Sequence, residues 1–224
     1  EDDIKNCARA FTGWKFTQPI PIYPQGDFPS EFEYREWDHD NSVKTFLGET
    51  GRLDGKDIID IIVKQPATAR FVSRHLYNFF VADEPQVPAW NDLPPQDPEA
   101  VDALTKAFQD SDGEIRSVLR VLFNSDAFKQ ARHKRVKCPA ELVAGVLKLA
   151  GTHTEPNTGL IDVGVATNAM GQELFNPPTV EGWHTGKEWI DGGALNERIN
   201  FAVNELDDVT KPGIRKIVDR LASE

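Results

Sequence analysis

The chain has 224 residues, of which 39% are hydrophobic and 27% charged, and its formal net charge is −11 at pH 7. This composition is typical of a globular protein, and the negative charge disfavours non-specific binding to nucleic acid. No apolar run approaches the roughly 20 residues that a membrane-spanning helix needs. Gly-rich phosphate loops, His-Glu-x-x-His and Gly-x-Ser-x-Gly are all absent from the sequence, and nothing in it requires a cofactor. We expect no nucleic-acid partner and no transmembrane segment.

The first part of the chain mixes helix and strand patterns. Apolar residues at helical spacing predict a helix over residues 2–12, ended by Gly13. Apolar and polar residues then alternate at 14–16 and 31–34, with a proline-rich loop between them. We therefore predict one small β-hairpin over residues 14–34, and no other sheet.

From Gly55 onward the sequence predicts helices. Asp54 caps the first of them, and Pro66 begins a second that runs to residue 82. That second helix has apolar residues, Phe79 among them, on more than one face, which favours a central, buried position. A proline-rich surface loop follows at 83–97, and further helices are expected after Pro98, at Ile115, after Pro139, over 160–170, around Leu195 and after Pro212. The prediction is a mainly α, multi-helix globular domain over residues 1–224.

The segment from Met170 to Ile190, which we name the Pro/Trp segment, fits neither a helix nor a strand. It contains three glycines, the pair Pro177-Pro178, and three large aromatic residues: Phe175, Trp183 and Trp189. Irregular loops of this kind carry function more often than regular elements do. The segment is therefore the first place to look for a site.

Two interpretations of the Pro/Trp segment stay open. In the first, Gln172, Glu181, Trp183 and His184 form a half-apolar, half-polar surface that binds a sugar, a small molecule or a partner. In the second, the aromatic side chains seal the ends of helices. We expect Trp189 to be buried and Trp183 to be partly exposed.

The dipeptide His39-Asp40 is the most specific chemical candidate in the chain. An imidazole beside a carboxylate can bind a divalent metal or act as a base with its orienting partner. A metal site would need further ligands, and His75 and His184 are the candidates. The alternative is structural: His39 and Asp40 stabilise a turn before Lys44, with Asp40 accepting backbone hydrogen bonds.

Arg70 and Arg74 lie one turn apart on the helix that Pro66 begins. They could clamp a carboxylate, sulfate or phosphate. Alternatively they form an internal ion-pair network with Asp57, Asp60 or Glu141, since buried charges need partners.

A basic run precedes the helix that Pro139 begins. Arg132, Lys134 and Arg135 are its candidate binding residues, because a helix N-terminus adds to the attraction for anions. The run could bind an anion or an acidic partner, or could simply be a solvated face.

Several blocks of the sequence together resemble the bacterial family called domain of unknown function 1800. The blocks are Ala8–Trp14, His39-Asp40, Lys44–Gly48, Asp57–Asp60 leading through Pro66–Phe71 to His75–Val81, Lys137–Glu141, the Pro/Trp segment, and Arg198–Phe201. The resemblance implies an exported protein, periplasmic, cell-surface or extracellular, often found beside a secreted sulfatase-like companion. The chain looks like the C-terminal half to two-thirds of the family's domain. The family has no established catalytic residues, so none is carried over.

Two hypotheses for function follow. The first is a binding or accessory module for a partner protein, such as the sulfatase-like companion, or for an extracellular polymer such as a polysaccharide. The second is a metal-assisted hydrolase of envelope or polysaccharide material that uses His39, Asp40 and His184. The first is favoured because the sequence shows no complete catalytic constellation.

Overall fold

The computed structural model describes residues 1–17, 30–155 and 160–223. In this part of the chain the fold is mainly α, with ten α-helices and two small sheets, which confirms the predicted fold class. The proline-rich loop predicted inside the first hairpin lies outside the described residues. The helices are α1 (Asp2–Ala10), α2 (Gly55–Val63), α3 (Pro66–Phe80), α4 (Pro98–Asp110), α5 (Ile115–Asn124), α6 (Asp126–Lys129), α7 (Pro139–Ala150), α8 (Leu160–Ala169), α9 (Gly192–Leu206) and α10 (Pro212–Leu221).

The predicted hairpin is present, and a second one accompanies it. Strand β1 (Trp14–Phe16) pairs antiparallel with β2 (Phe32–Tyr34), as the alternation at 14–16 and 31–34 predicted. Strand β3 (Lys44–Phe46) pairs antiparallel with β4 (Glu49–Gly51), so the prediction of a single sheet was wrong. The two-residue turn between β3 and β4 has positive φ at both central residues, which matches the twist of a tight hairpin.

The chain divides into two compact units. The first comprises Glu1–Ser73 and Asp102–Val121, and the second comprises Arg74–Val101 and Leu122–Glu224. A single domain over 1–224 therefore stays a prediction.

The core of the first unit joins α1, α2 and β3. Its buried members are Ala10, Phe46 and Ile58, and Cys7, Phe11, Leu53 and Ile61 pack against them. Helix α2 begins where the sequence predicted. The Asp54 carboxylate accepts hydrogen bonds from the backbone N–H groups of Lys56 and Asp57, at 2.7 and 3.1 Å, and the Asp57 carboxylate accepts one from the Asp54 N–H, at 2.9 Å.

The core of the second unit forms around α7, which packs against α8, α9 and α10. Val143, Leu147 and Met170 are buried there, with Leu142, Val163, Ala166 and Phe201 around them. Because Met170 is the first residue of the Pro/Trp segment, the segment starts from the core. None of the described helices is long and apolar enough to cross a membrane.

Helix α3 is less buried than its apolar pattern predicted. Ser73, Arg74 and Tyr77 are buried, whereas Phe79 is 59% exposed. A polar and a charged side chain occupy the buried face because Arg74 has an internal partner, described below. The prediction that Phe79 belongs to the core was wrong. Phe79 instead lines the cavity described in the next subsection.

Candidate functional site

A cavity of about 340 Å³, the main cavity, lies in the second unit. Its walls come from four parts of the chain. These are the end of α3, the loop that follows α3, the residues Arg135 and Val136 ahead of α7, and the Pro/Trp segment. Its lining residues are His75, Asn78, Phe79, Asp83, Pro85–Pro88, Arg135, Val136, Thr179 and Glu181–Gly186.

Five residues that sequence reasoning singled out line this cavity. Glu181, Trp183 and His184 come from the Pro/Trp segment, His75 comes from α3, and Arg135 comes from the basic run. The other candidates are not among its lining residues: His39, Asp40, Arg70, Arg74, Arg132, Lys134 and Gln172.

Close packing holds the Pro/Trp segment against the loop after α3. Gly186 has φ 67°, and a Cβ atom at this position would lie 3.2 Å from the Cβ of Asp83. The Gln86 side-chain amide donates a hydrogen bond to the Thr185 carbonyl, at 3.3 Å. Asp83 in turn accepts a hydrogen bond from the Val136 N–H, at 2.7 Å. Glycine at 186 therefore allows an approach that a larger residue would obstruct.

The two tryptophans of the segment have different environments, as predicted. Trp189 is 7% exposed and lies in the short 3₁₀ helix Gly186–Ile190, which packs against α9. Trp183 is half-buried and lines the main cavity. Its Nε1 is buried and has no hydrogen-bond partner among the described residues. Trp189 therefore seals the fold, while Trp183 contributes a cavity wall.

Arg135 is the one guanidinium group among the lining residues of the main cavity. The Arg135 Cζ atom lies 5.2 Å from the centroid of the Phe79 ring, and the Arg135 Nη1 atom donates a hydrogen bond to Glu141 Oε2 at 3.1 Å. This ion pair fixes the Arg135 head group and offsets its charge. Arg132 and Lys134 are exposed, so only one residue of the predicted basic patch reaches the cavity.

Burial shifts the pKa of two lining residues. It lowers the pKa of His75, which favours a neutral imidazole at pH 7. It raises the pKa of the Asp83 carboxyl, against the opposing hydrogen bond from the Val136 N–H. His184 is exposed, and its Nδ1 lies 2.8 Å from Glu188 Oε2. The cavity thus offers aromatic surface together with hydrogen-bond donors and acceptors, and little positive charge.

The comparison with family models decides the membership of the chain. The model of the family described as "Protein of unknown function (DUF1800)" matches residues 1–224. The chain belongs to this family. No curated protein and no solved structure matches it. The family description assigns no activity, so function in this DUF1800 domain has to be argued from the site.

His39 and Asp40 form hydrogen bonds that stabilise the first unit. His39 Nδ1 lies 2.8 Å from the Thr12 carbonyl oxygen, and the Asp40 N–H donates to Thr12 Oγ1 at 2.8 Å. The Asp40 carboxylate accepts hydrogen bonds from Arg9 Nε, at 2.7 Å, and from the Ser42 N–H, at 2.9 Å. The hydrogen bond from Arg9 and those from Ser42 hold the pKa of Asp40 well below its usual range. The structural interpretation of this dipeptide therefore describes what the residues do.

The metal site predicted around His39 and Asp40 is not formed by the described residues. In the described ranges, no set of three or more His, Cys, Asp or Glu side chains is arranged to hold a metal ion. His75, the other predicted metal ligand within α3, lies with its ring 4.6 Å from that of Trp90.

Arg74 is the centre of an internal network in the second unit. Its side chain is 4% exposed and that of Glu84 is fully buried. The Arg74 Nε and Nη2 atoms donate to Glu84 Oε2, at 2.8 and 2.6 Å. The remaining donors reach the carbonyl oxygens of Trp90, Leu93 and Pro94. Because these bonds engage every donor atom of the guanidinium group, Arg74 is not placed to clamp an external anion.

The predicted acidic partners of the two arginines were wrong. Arg74 pairs with Glu84, and Arg70 pairs with Asp102 at 2.6 Å on the surface of the first unit. Neither bond involves Asp57, Asp60 or Glu141. The hypothesis of an internal ion-pair network is confirmed for Arg74. The exposed ion pair of Arg70 with Asp102 matches neither the anion clamp nor the buried network.

Gln172 is buried and serves the end of a helix. Its Oε1 accepts a hydrogen bond from the Ala140 N–H, at 2.8 Å, in the first turn of α7. Glu141 accepts from the Cys138 N–H at the same helix end, at 2.9 Å. Two of the free donors at the start of α7 are thereby satisfied by side chains. Gln172 anchors the Pro/Trp segment to α7, so its predicted binding role is replaced by a structural one.

Sequence reasoning missed several lining residues. Asn78, Phe79, Asp83 and Gln86 were assigned to a core helix or to a plain surface loop, yet all line the main cavity. The loop Asp83–Pro88 combines prolines with polar side chains, as the Pro/Trp segment does. This composition would have marked the loop as a second candidate functional loop.

Proposed function

We propose that this domain is an exported binding module for an extracellular polysaccharide, and that a sugar unit occupies the main cavity beside Trp183. The half-buried Trp183 in the wall of a cavity that also has polar lining side chains is the observation that carries the proposal. A sugar ring has apolar C–H faces and hydroxyl groups around its edge. It therefore suits a site that combines a flat aromatic surface with hydrogen-bonding side chains.

The dimensions and polar groups of the main cavity support this ligand class. Its volume of about 340 Å³ falls at the lower end of the roughly 300–1,000 Å³ typical of small-molecule sites, which suits one sugar unit. Asn78 uses its Oδ1 to accept the Glu84 N–H, at 2.8 Å, which leaves its amide hydrogens for a ligand. Glu181 and His184 are exposed, and their side chains can accept hydrogen bonds from sugar hydroxyl groups.

A contact with a partner protein is a second candidate, supported by a different feature. Phe175 and Val180 are both almost fully exposed, and Phe175 is 97% exposed. Phe175 has φ 64° within a turn that the Asn176 N–H closes on the Glu173 carbonyl, at 3.2 Å. Apolar groups held outward by a tight turn suit a protein surface. The sulfatase-like companion that the family resemblance implies would dock here.

Affinity electrophoresis tests the first proposal. The chain is run through gels that contain one neutral polysaccharide each, beside Trp183→Ala and the control Trp37→Ala. Trp37 is also a tryptophan, it is largely exposed, and it belongs to the first unit and is not among the lining residues of the main cavity. We expect one polysaccharide to retard the wild type and Trp37→Ala, but not Trp183→Ala.

Two other results would redirect the interpretation. If no polysaccharide retards the wild type, the polysaccharide proposal is wrong, and binding of the companion at Phe175 becomes the function to test. If the retained polysaccharide is shortened during the run, the domain is a hydrolase, and substitution of His184 should then stop the shortening.

A further inference from the structure

The main cavity has a neighbour on the Pro/Trp segment. A second depression of about 470 Å³ is lined by Asn168, Gly171, Glu173, Asn176, Pro177, Pro178 and Trp183. We name it the outer subsite. Trp183 belongs to the lining of both spaces, so this residue is a shared wall.

From this shared wall we infer that the ligand is an uncharged oligosaccharide chain that passes Trp183, with one sugar unit in the main cavity and the next in the outer subsite. The inference rests on the proposed function and adds to it the length and the charge class of the ligand. A single sugar unit that fills the main cavity leaves the outer subsite empty. A linked chain can use both spaces at once.

The outer subsite has the polar groups that a second sugar unit needs. Asn168 and Asn176 are exposed amides in its lining. Asn176 Nδ2 donates to Glu173 Oε2 at 2.8 Å, which orients its amide and leaves its oxygen free to accept. An amide both donates and accepts hydrogen bonds, as a sugar hydroxyl does. Pro177 and Pro178 add a rigid apolar surface beside them.

Charge in the two spaces argues for a neutral chain. Asp83, Glu173 and Glu181 line them, and Arg135 is the one Lys or Arg side chain among the lining residues. Its charge is already offset by Glu141. A polymer that carries carboxylate or sulfate groups would meet uncompensated like charges, which lowers its affinity most at low salt.

The indole N–H of Trp183 adds a further observation. It is buried without a hydrogen-bond partner among the described residues, whereas a buried tryptophan usually finds one. The fold therefore does not hold the ring through its polar edge.

Calorimetric titration of the whole chain tests the inference. The probes are monomers and tetramers of glucose, mannose, galactose and N-acetylglucosamine, with tetragalacturonate as the anionic counterpart. For the sugar that binds, we expect the tetramer to bind at least about tenfold more tightly than the monomer, because it fills a second space. Tetragalacturonate should bind at least about tenfold more weakly than the neutral tetramer at low salt.

Variants assign the gain to the outer subsite. Asn168→Ala should remove most of the difference between tetramer and monomer while leaving the affinity for the monomer unchanged. The control is Asn204→Ala, since Asn204 is an exposed asparagine on α9 that lines neither space. Asn204→Ala should keep both affinities.

The possible failures are distinguishable. Equal affinities for monomer and tetramer, both lost in Trp183→Ala, would overturn the outer subsite and leave the proposed function standing. A preference for tetragalacturonate would overturn the neutral class. An equal loss of monomer and tetramer binding in Asn168→Ala would also overturn the assignment. If no neutral sugar binds the wild type, the proposed function fails, and the inference fails with it.

Discussion

The His39-Asp40 turn and the Pro/Trp segment contrast in how they use their polar groups. In the turn, the imidazole contacts a backbone carbonyl and the carboxylate accepts hydrogen bonds from Arg9 and Ser42. In the Pro/Trp segment, Glu181 and His184 are exposed, and Trp183 Nε1 has no partner among the described residues. The His39-Asp40 dipeptide has the more reactive side chains, yet its hydrogen-bonding groups are engaged within the fold.

This contrast shows what makes a residue a candidate for function. Residue type indicates which chemistry is available, and the local hydrogen bonds decide whether it remains available. Arg74 and Gln172 belong with the turn, because their side chains are engaged inside the second unit. Arg135 and His184 each pair with a single carboxylate group and still line the main cavity.

Removal of Arg74 is the substitution with the largest expected effect on stability. Arg74→Ala leaves the buried Glu84 carboxylate without its guanidinium partner, and breaking a buried pair in this way costs about 3–5 kcal/mol. Urea denaturation measures the loss. Arg70→Ala is the matched control, because its pair with Asp102 is exposed and should contribute less than about 1 kcal/mol. Equal losses in the two variants would contradict the assignment of Arg74 to an internal network.

Substitution of Gly186 tests whether the Pro/Trp segment needs its close approach to Asp83. Gly186→Ala imposes a side chain at positive φ and 3.2 Å from Asp83 Cβ, which should destabilise the domain by about 1–3 kcal/mol. Polysaccharide binding should weaken as well, since the cavity wall has to move. Gly192→Ala is the control, because a Cβ there meets no atom within 4 Å. An unchanged melting temperature in Gly186→Ala would show that the two loops are not held together by this contact.

Acid titration separates the turn from the cavity. Because Arg9 and Ser42 lower the pKa of Asp40 in the folded state, its carboxylate stabilises the protein above its unfolded pKa of about 3.9. This contribution is lost as the pH falls below that value. Asp40→Asn should therefore lower the melting temperature at pH 7, and the difference from wild type should shrink below about pH 4. A difference that stays constant down to pH 3 would show that the carboxylate charge is not what stabilises the turn.

The smallest effect is expected in the exposed part of the basic run. Arg132 and Lys134 make no ion pair among the described residues and line neither the main cavity nor the outer subsite. The double variant Arg132→Gln/Lys134→Gln should change the free energy of unfolding by less than about 0.5 kcal/mol and leave polysaccharide binding intact. Salt-dependent binding that disappears in this variant would restore the interpretation of the run as an anion site.

Local signals predicted much of the fold. The capping pair Asp54 and Asp57, the helix-starting residues Pro66, Pro98, Pro139 and Pro212, and the alternation at 14–16 all correspond to observed element starts. The second hairpin was missed because Leu47, which is rare at positive φ, occupies its turn with φ 47°. A glycine or asparagine there would have indicated the turn.

Long-range contacts explain the rest of the differences. The sequence indicated that Arg74 needs a partner, but which carboxylate reaches it depends on the path of the chain after α3. The same path brings Asp83 to Gly186 and makes the loop Asp83–Pro88 part of the cavity. The sequence indicated that Gly186 allows the chain to turn between Trp183 and Trp189, and Gly186 has positive φ in the structure.

Paired measurement of stability and binding in Trp183→Ala and Trp189→Ala tests the central claim most directly. Trp189 seals the second unit, so Trp189→Ala should lose about 3–5 kcal/mol of stability through the cavity it leaves. Trp183→Ala should lose at least about tenfold in affinity for the bound polysaccharide, with a fall of no more than about 4 °C in melting temperature, about 1 kcal/mol for a chain of this length. This division is the result that the account predicts. Retained affinity in Trp183→Ala, together with a loss of stability as large as that of Trp189→Ala, would show that both rings only seal the fold and would contradict it.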